Sequence, residues 1–520
     1  MARSSPLRTW AAAELALAAG VAASLFGWDR FPDVVEWTLV VSSQWGFVAR
    51  ELVRFVFVLA LLLPATLSMG VALPALAASV GAERRADAAW VGRVFAANTV
   101  GAILGALVTG FVLLGRVPSH GILRAVALCA LVLAVASARR TGRVSRRFAF
   151  AAVLATAAAL AHTGWNMSRL TAGSHYYWAA WMPVRQTFVA EDAQSGFVSV
   201  DQPVAAGTKV LKTNGKYEAT DEAVEFQDAF ALLGAMYAPA FGRAAVLGLG
   251  AGRTMATLHA LSFRELEVME FSPAIIRAAR HEFGRFVDAP LADTGRVRLV
   301  CDDGRNHLQL SQGGYDLIVV GATGAAFAGV GSLYSREFFE IVRDRLTPEG
   351  VLVLWLQLHH VPWDSARSAI YTLRSAFPHV HVYGDRFRVH AYLIASARPL
   401  RVRRSSLAAA DHVPHVRDLL RLSGNSRTLD LASLAILTRE ADLQAYFTAG
   451  APFEGPPVVY TDDRPAFEFE TPRGLATHRY DFSDLRRYAS GTLPALDFEL
   501  DATETAALVA QRPTPVPERR

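Results

Sequence analysis

Apolar runs long enough to cross a lipid bilayer constrain this chain more than any other feature. A spanning helix needs roughly 20 predominantly apolar residues. Runs at 9–27, 52–79, 90–114 and 119–138 approach or exceed that length, and a weaker, Ala-rich run follows at 148–163. The first is not a secretory signal, because further spans follow it and Glu14 interrupts it. Glu14 reads as a helix-packing or near-interface carboxylate, with a transport path as the alternative. Gly101-Ala-Ile-Leu-Gly105 and Gly110 suit close helix packing. Residues 1–163 are therefore expected to form a multi-pass α-helical membrane region of four or five spans.

Charge divides the chain at the same place. Residues 1–163 hold 15 arginines, no lysine and 7 acidic side chains, a net +8; the remaining 37 basic and 40 acidic residues leave −3. The basic character belongs to the apolar part, and the slightly acidic remainder offers no phosphate-tracking surface, which argues against nucleic acid as a partner. Two cysteines make neither a disulfide framework nor a zinc site. Arg139, Arg140, Arg143, Arg146 and Arg147 give the strongest positive-inside signal, and Arg84-Arg85 the second. Both loops face one side if 90–114 and 119–138 each span. The marginal run 148–163 then decides on which side the rest of the chain emerges.

Residues 164–220 read as a linker and small β-domain. Phe197-Val-Ser-Val200 and Lys209-Val-Leu-Lys212 lead into the turn Asn214-Gly215, a hairpin pattern. Phe226, Phe230, Leu233 and Tyr237 stand at helical spacing over 221–237. Alternating units follow, with strands at 244–249, 266–270, 297–301, 315–320 and 351–356 and helices between them. Such repeats predict a parallel sheet covered by helices, an α/β Rossmann-like domain of the class I methyltransferase type over 221–400. Residues 401–475 are expected to be a helical extension with a closing strand at 466–470, and 476–520 a flexible tail.

The sharpest motif is Val246-Leu-Gly248-Leu-Gly250-Ala-Gly252 between the first strand and its helix. Such glycines let the backbone turn tightly beside a ligand at the C-terminal edge of the sheet. Arg253 stands where a dinucleotide fingerprint needs its third glycine, which favours an adenosyl-sulfonium ligand over a pyrophosphate. Glu270 ends the second strand, where a carboxylate can accept hydrogen bonds from both hydroxyls of a ribose; a capping acid before Ser272-Pro273 is the alternative. Asp302-Asp303-Gly304 ends the third strand. One carboxylate of that pair could take an adenine amino group with Gly304 allowing the ring to lie close, or an aspartate could simply cap the next helix. His359-His360 reads as a loop-edge pair, and no second ligand pair stands at metal-binding spacing. Lys209, Lys212 and Lys216, the only lysines, read as a solvated strand face.

Gly248–Gly252, Glu270, Asp303-Gly304-Arg305, Tyr315-Asp-Leu-Ile-Val-Val320, Ser332-Leu-Tyr334 with Phe338, and Gly350-Val-Leu-Val together resemble the spermidine synthase (polyamine aminopropyltransferase) core. Asn214-Gly215 with Asp221-Glu222 looks like that family's small β-domain. Leu63-Pro-Ala-Thr-Leu-Ser-Met-Gly70, Leu73-Pro74, Asn98-Thr-Val-Gly101-Ala and Thr461-Asp-Asp-Arg-Pro465 with Glu468-Phe469 resemble bacterial members fused to part of a transporter-like membrane domain. The N-terminal region looks shorter than in longer members, which implies a partial bundle. The resemblance implies aminopropyl transfer from decarboxylated S-adenosylmethionine, without a metal, to putrescine or a related small amine. It implies cofactor contacts at Gly248, Gly250, Gly252, Glu270, Asp302, Asp303 and Gly304, and substrate contacts at Asn214, Glu218 and Gln227. Lipid is the expected surrounding of the membrane part, and a homodimer is left open.

One departure from the family is chemical. Aminopropyltransferases carry an acid directly after the fourth strand, and here Gly321 occupies that position, in Val320-Gly-Ala-Thr-Gly-Ala325. A reacting amine must shed a proton, a task that suits a positioned carboxylate. Candidate substitutes are Asp228, Glu218, Asp462 and Asp463. The alternatives are a methyltransferase-like enzyme using S-adenosylmethionine itself, and a non-catalytic adenosyl-ligand-binding membrane scaffold. Because the donor would be made in the cytosol, the soluble half of this multi-pass cell-membrane protein is expected on the cytoplasmic side. A phosphatase–fluorescent protein reporter pair fused after Arg520 should therefore fluoresce and show no phosphatase activity, and the reverse pattern would place the domain outside.

Overall fold

The computed structural model describes residues 5–41, 45–83, 88–141, 145–174, 184–203, 207–222, 225–321, 324, 327–358, 361–384, 390–422, 425–450, 453–475, 485, 487–490 and 492–511. The chain divides into two compact units, residues 1–199 with 213–216 and residues 200–212 with 217–520.

In the first unit the apolar runs are helices: α1 (Pro6–Ser24), α2 (Phe31–Val41), α3 (Phe47–Glu83), α4 (Ala88–Leu107), α5 (Ser119–Arg140), α6 (Arg146–Ala161) and the single turn α7 (Met167–Leu170). Four stretches among the described residues are long and apolar enough to cross a membrane: Pro6–Thr38, Phe47–Ser79, Ala89–Leu113 and Ser119–Arg140. They coincide with the four strong runs, the first extending well beyond 27. The 16 residues of α6 reach only about 24 Å at 1.5 Å per residue. Small side chains let α1, α5 and α6 approach closely, through Ala18, Ala22, Ala127, Ala134, Ala152 and Ala159. Glu14 is buried and accepts a hydrogen bond from Trp10 Nε1 at 3.0 Å, one helical turn away, which suits its packing role. The glycine expectation needs correcting. Nothing lies within 4 Å of a Cβ built on Gly101, Gly105 or Gly110, whereas one on Gly20 would stand 3.1 Å from the Ala65 nitrogen. The close approach within this chain is made by Gly20. Arg84, Arg85 and Arg143 of the positive-inside loops lie outside the described residues.

The hairpin is present. Strands β1 (Val184–Asp192), β2 (Gly196–Pro203), β3 (Val210–Thr213) and β4 (Lys216–Thr220) form a sheet in that order. Asn214 and Gly215 take φ +48° and +80° at its turn.

After β4 the chain enters α8 (Glu225–Tyr237) and then alternates as expected: β5 (Arg243–Leu247), α9 (Arg253–Ala260), β6 (Glu265–Met269), α10 (Pro273–Glu282), α11 (Gly284–Ala292), β7 (Val297–Val300), α12 (Gly304–Leu310), β8 (Tyr315–Val320), α13 (Arg336–Arg345), β9 (Leu346–Gln357) and α14 (Trp363–Ala376). β7, β6, β5, β8 and β9 run parallel in that spatial order. Their near-continuous apolar composition follows from burial on both faces.

Three strands were not foreseen. β10 (His379–Gly384), β11 (His390–Ser396) and β12 (Ala435–Leu437) continue the sheet antiparallel beyond β9, to eight strands ordered β12-β10-β11-β9-β8-β5-β6-β7. His379 and His381 mask the apolar character of β10, although His381 is buried. The expected helical extension contains α15 (Arg404–Asp411), α16 (Pro414–Leu422) and α17 (Glu440–Thr448), but β12 interrupts it.

Residues 466–470 are not a strand. They begin α18 (Ala466–Leu475), which buries Phe467 and, one turn on, Thr471, and leaves Phe469 70 % exposed. The alternation Phe-Glu-Phe-Glu imitated a period of two over a segment too short to separate it from a helix. Part of the expected flexible tail is ordered too. α19 (Ala502–Ala510) is capped by Asp501, and Glu504 pairs with Arg427 at 3.1 Å.

The extension is pinned by Arg367 of α14, whose fully buried guanidinium donates to the carbonyls of Ala449 and Gly455 and stacks 3.7 Å over Phe453. Replacing it removes two hydrogen bonds from a charged donor, each worth about 1.5–3 kcal/mol. Arg367→Met should therefore lower unfolding stability by about 2 kcal/mol or more, read as a reduced denaturant midpoint with residues 449–460 becoming sensitive to protease.

Candidate active site

β6 and β8 flank β5 on opposite sides, so the sheet reverses its strand order there and opens a crevice at the strands' C-terminal ends. Three glycines make the turn that enters it. Gly248, Gly250 and Gly252 all adopt left-handed backbone, with φ +96°, +53° and +86°, a region other residues rarely occupy. Gly252 leads into α9, and a Cβ there would stand 2.3 Å from Val287. A Cβ on Gly248 would approach the carbonyl oxygen of Gly321 to 3.1 Å. The two glycines thus face each other across the β5–β8 gap.

Glu270, just past β6, turns its side chain onto this loop. One carboxylate oxygen accepts from the Leu249 N–H and the other from the Ser272 N–H, both at 3.0 Å. Burial pushes its pKa up to about 7, against the backbone donors of Ser272, Leu249 and Gly250, and the nearby charge of Glu218 adds to the rise. A carboxylate has about four lone-pair positions, so capacity remains for the hydroxyls of a ribose. Ala219 of β4 lies against Gly250, a Cβ on which would stand 3.8 Å from the alanine's. Arg253 is buried, stacked 4.8 Å over Phe286 and bound to the Glu222 carbonyl at 2.7 Å. That filled position is where a pyrophosphate-binding loop would need a glycine.

Asp302 and Asp303 have different tasks. Asp303 Oδ1 accepts from the Asn306 N–H at 2.8 Å and so caps α12. Asp302 is half-exposed and bridges to His307 Nδ1 at 3.2 Å, while His307 Nε2 reaches the buried Glu267 at 3.1 Å. Gly304 answers a packing need: a Cβ there would meet Leu247 Cγ at 2.7 Å.

Residues 225–385 match the model of the spermine/spermidine synthase domain. Over 141 residues the chain is 28 % identical to polyamine aminopropyltransferase 2 of Pseudomonas aeruginosa, covering 26 % of this chain and 40 % of the relative. Over 157 residues it is 30 % identical to a polyamine aminopropyltransferase of Mycobacterium tuberculosis, covering 28 % and 30 %. A longer similarity, 27 % over 381 residues, covers 69 % of this chain and 63 % of polyamine aminopropyltransferase 2 of Streptomyces coelicolor. The chain thus spans less than two thirds of the length of each of these relatives. Among solved structures, spermidine synthase from Thermotoga maritima covers 46 % of this chain and 88 % of its own, at TM-score 0.38 and 17 % identity.

The predicted residues separate into two groups. Gly248, Gly250, Gly252 and Glu270 converge on one turn, and the charge of Glu218 acts on Glu270 there. Asp302, Asp303, Gly304, Asn214 and Asp462 serve the fold. Asn214 closes its own hairpin, accepting from the Phe197 N–H at 2.9 Å and donating to the Ser195 carbonyl at 2.8 Å. Asp462 is held by Arg305 in a two-pronged pair at 2.8 and 2.6 Å, which keeps its carboxyl below the ordinary range and makes it a poor base. Asp463 is exposed in the Thr461–Arg464 turn. The backbone of Asp228 and Gln227 belongs to α8, but their side chains, like His359 and His360, lie outside the described residues. The lysines are not a solvated face: Lys209 pairs with Glu282 at 2.8 Å and Lys212 with buried Asp201 at 2.9 Å.

The closing segment reaches the domain by another route. Glu468 accepts from the N–H groups of Gly329 and Gly331, at 2.9 and 3.1 Å, and so fixes the loop that follows β8.

Glu270 gives the site a pH dependence. An acid whose folded pKa is raised toward 7 favours folding below its ordinary value of about 4.5 and loses that contribution as pH rises through 7. Ribose hydroxyls, by contrast, donate best to the ionised form. Methylthioadenosine should therefore bind more tightly as pH rises from 6 to 8. Glu270→Gln should remove that dependence in calorimetry and should raise thermal stability more at pH 8 than at pH 5.

Proposed function

We propose that this chain is a membrane-attached, spermidine synthase-like aminopropyltransferase that takes decarboxylated S-adenosylmethionine as donor and a small amine as acceptor. The observation that carries the reading is Glu270, buried at the switch point with its carboxylate turned onto a glycine turn too tight for side chains. The glycine turn admits the sulfonium end of the donor, and Glu270 holds the ribose. The acceptor nitrogen attacks the methylene carbon beside the sulfonium. The carbon–sulfur bond breaks, its electrons neutralise the sulfur, and methylthioadenosine leaves while the new ammonium sheds a proton. Holding the two reactants in line supplies much of the acceleration.

Gly321 favours a second reading, an adenosyl-ligand-binding membrane protein with little turnover. The glycine is not imposed by space. Among the described residues a Cβ there would have only the Leu247 carbonyl oxygen and a Phe230 ring carbon nearby, both at 3.6 Å, an ordinary contact. An acid could be carried at that position.

Calorimetry on the detergent-solubilised full chain tests both readings. Methylthioadenosine should bind and NAD should not; no heat and no thermal shift with millimolar methylthioadenosine would remove the transferase reading. With decarboxylated S-adenosylmethionine and putrescine, the unsubstituted chain should be slow. Gly321→Asp should raise turnover at least ~100-fold, the lower end of the roughly 10²–10⁴ range a positioned base commonly supplies.

A further inference from the structure

The face of the sheet beneath α8 carries an acceptor group that the transferase chemistry described so far does not use. A Cβ on Gly234 of α8 would meet Leu317 and Val353, each at 2.8 Å, which identifies the residues of β8 and β9 lying under that helix. Side chains alternate along a strand, so Trp355 and Gln357 share the face of Val353. Their register partners across β11 are Tyr392 and His390. Phe230 of α8 lies 3.6 Å from where a Gly321 Cβ would stand, and its ring centroid is 6.0 Å from that of Tyr392. The Trp355 and His390 rings lie 5.2 Å apart. Four aromatic rings and one amide thus gather beside the vacant acid position.

Gln357 is 7 % exposed, and its Oε1 has no hydrogen-bond partner among the described residues. A buried acceptor left unpaired costs about 1–3 kcal/mol, so such a group at a strand end in a ligand-binding crevice calls for a donor from the ligand. Aromatic faces attract a cation. Among the described residues of this face none is a carboxylate, so none of them supplies a counter-ion for a second buried positive charge.

Resting on the aminopropyltransferase reading, we propose that the acceptor is an amine with a single cationic group on an apolar stem, and that Gln357 determines this specificity. The amine donates to Gln357 Oε1 among the rings of Phe230, Trp355, His390 and Tyr392, in place of the paired charges a diamine requires.

Amine titrations of the full chain saturated with methylthioadenosine test this. 1-Aminobutane should bind at least as tightly as 1,4-diaminobutane. Gln357→Met should weaken both amines ~10-fold or more, a change of about 1.4 kcal/mol, and leave methylthioadenosine affinity unchanged. Gln357→Glu should shift the preference at least ~10-fold toward the diamine. Tenfold tighter diamine binding by the unsubstituted chain, or unchanged amine affinity in Gln357→Met, would overturn the proposal. Should Gln357→Met also lose methylthioadenosine, the near-isosteric Gln357→Glu decides, and an unaltered diamine-to-monoamine ratio rejects the role. If the unsubstituted chain fails to bind methylthioadenosine at all, the transferase reading fails first and takes this proposal with it.

Discussion

A buried carboxylate held against backbone N–H groups organises the α/β part of this protein. Glu270 joins the end of β6 to the glycine turn after β5, through hydrogen bonds to Leu249 and Ser272. Removing a carboxylate from water is costly unless donors replace the solvent, and here main-chain amides supply them only in part. The residual penalty appears as the raised pKa. The acid is therefore kept in a state that additional donors, such as ribose hydroxyls, would relieve.

Around this centre, packing explains several residues that chemistry alone would misassign. Gly304 is small because Leu247 lies beneath it, and Asp303 is acidic because α12 needs a cap. Arg305 and Asp462 neutralise each other and tie the closing segment to the domain, while Glu468 braces the loop after β8. The tail thus shapes the crevice through the backbone of that loop. Gly321 differs from these glycines in having ordinary space around it. On the proposed transferase reading its significance is chemical, because the position expected to hold a proton-handling acid carries no side chain.

Much of the architecture was legible because it rests on local rules. Runs of some 20 apolar residues announce spanning helices, and short apolar runs separated by helical periods announce a parallel sheet. The strands β5 to β9 and their parallel pairing followed from them, and their order in the sheet came from the structure. The antiparallel edge did not, since β10 carries two histidines, and His381 is buried in the sheet where β11 and β12 flank it. Phe467 and Phe469 show the same limit, where five residues fit two periodicities and only the surrounding core chose the helix.

Residue type and spacing determined on their own that this chain has an apolar helical region, an α/β domain and a glycine turn with an acid at the next strand end. Those features depend on contacts within a few residues and on periodicity. Tertiary structure alone decided which acids face the crevice, because a carboxylate's role depends on the donor it meets across the fold. It placed Arg305 on Asp462, and Trp355 and Gln357 beside Tyr392 and His390. Such pairings join residues tens to more than a hundred positions apart, where no local pattern reaches.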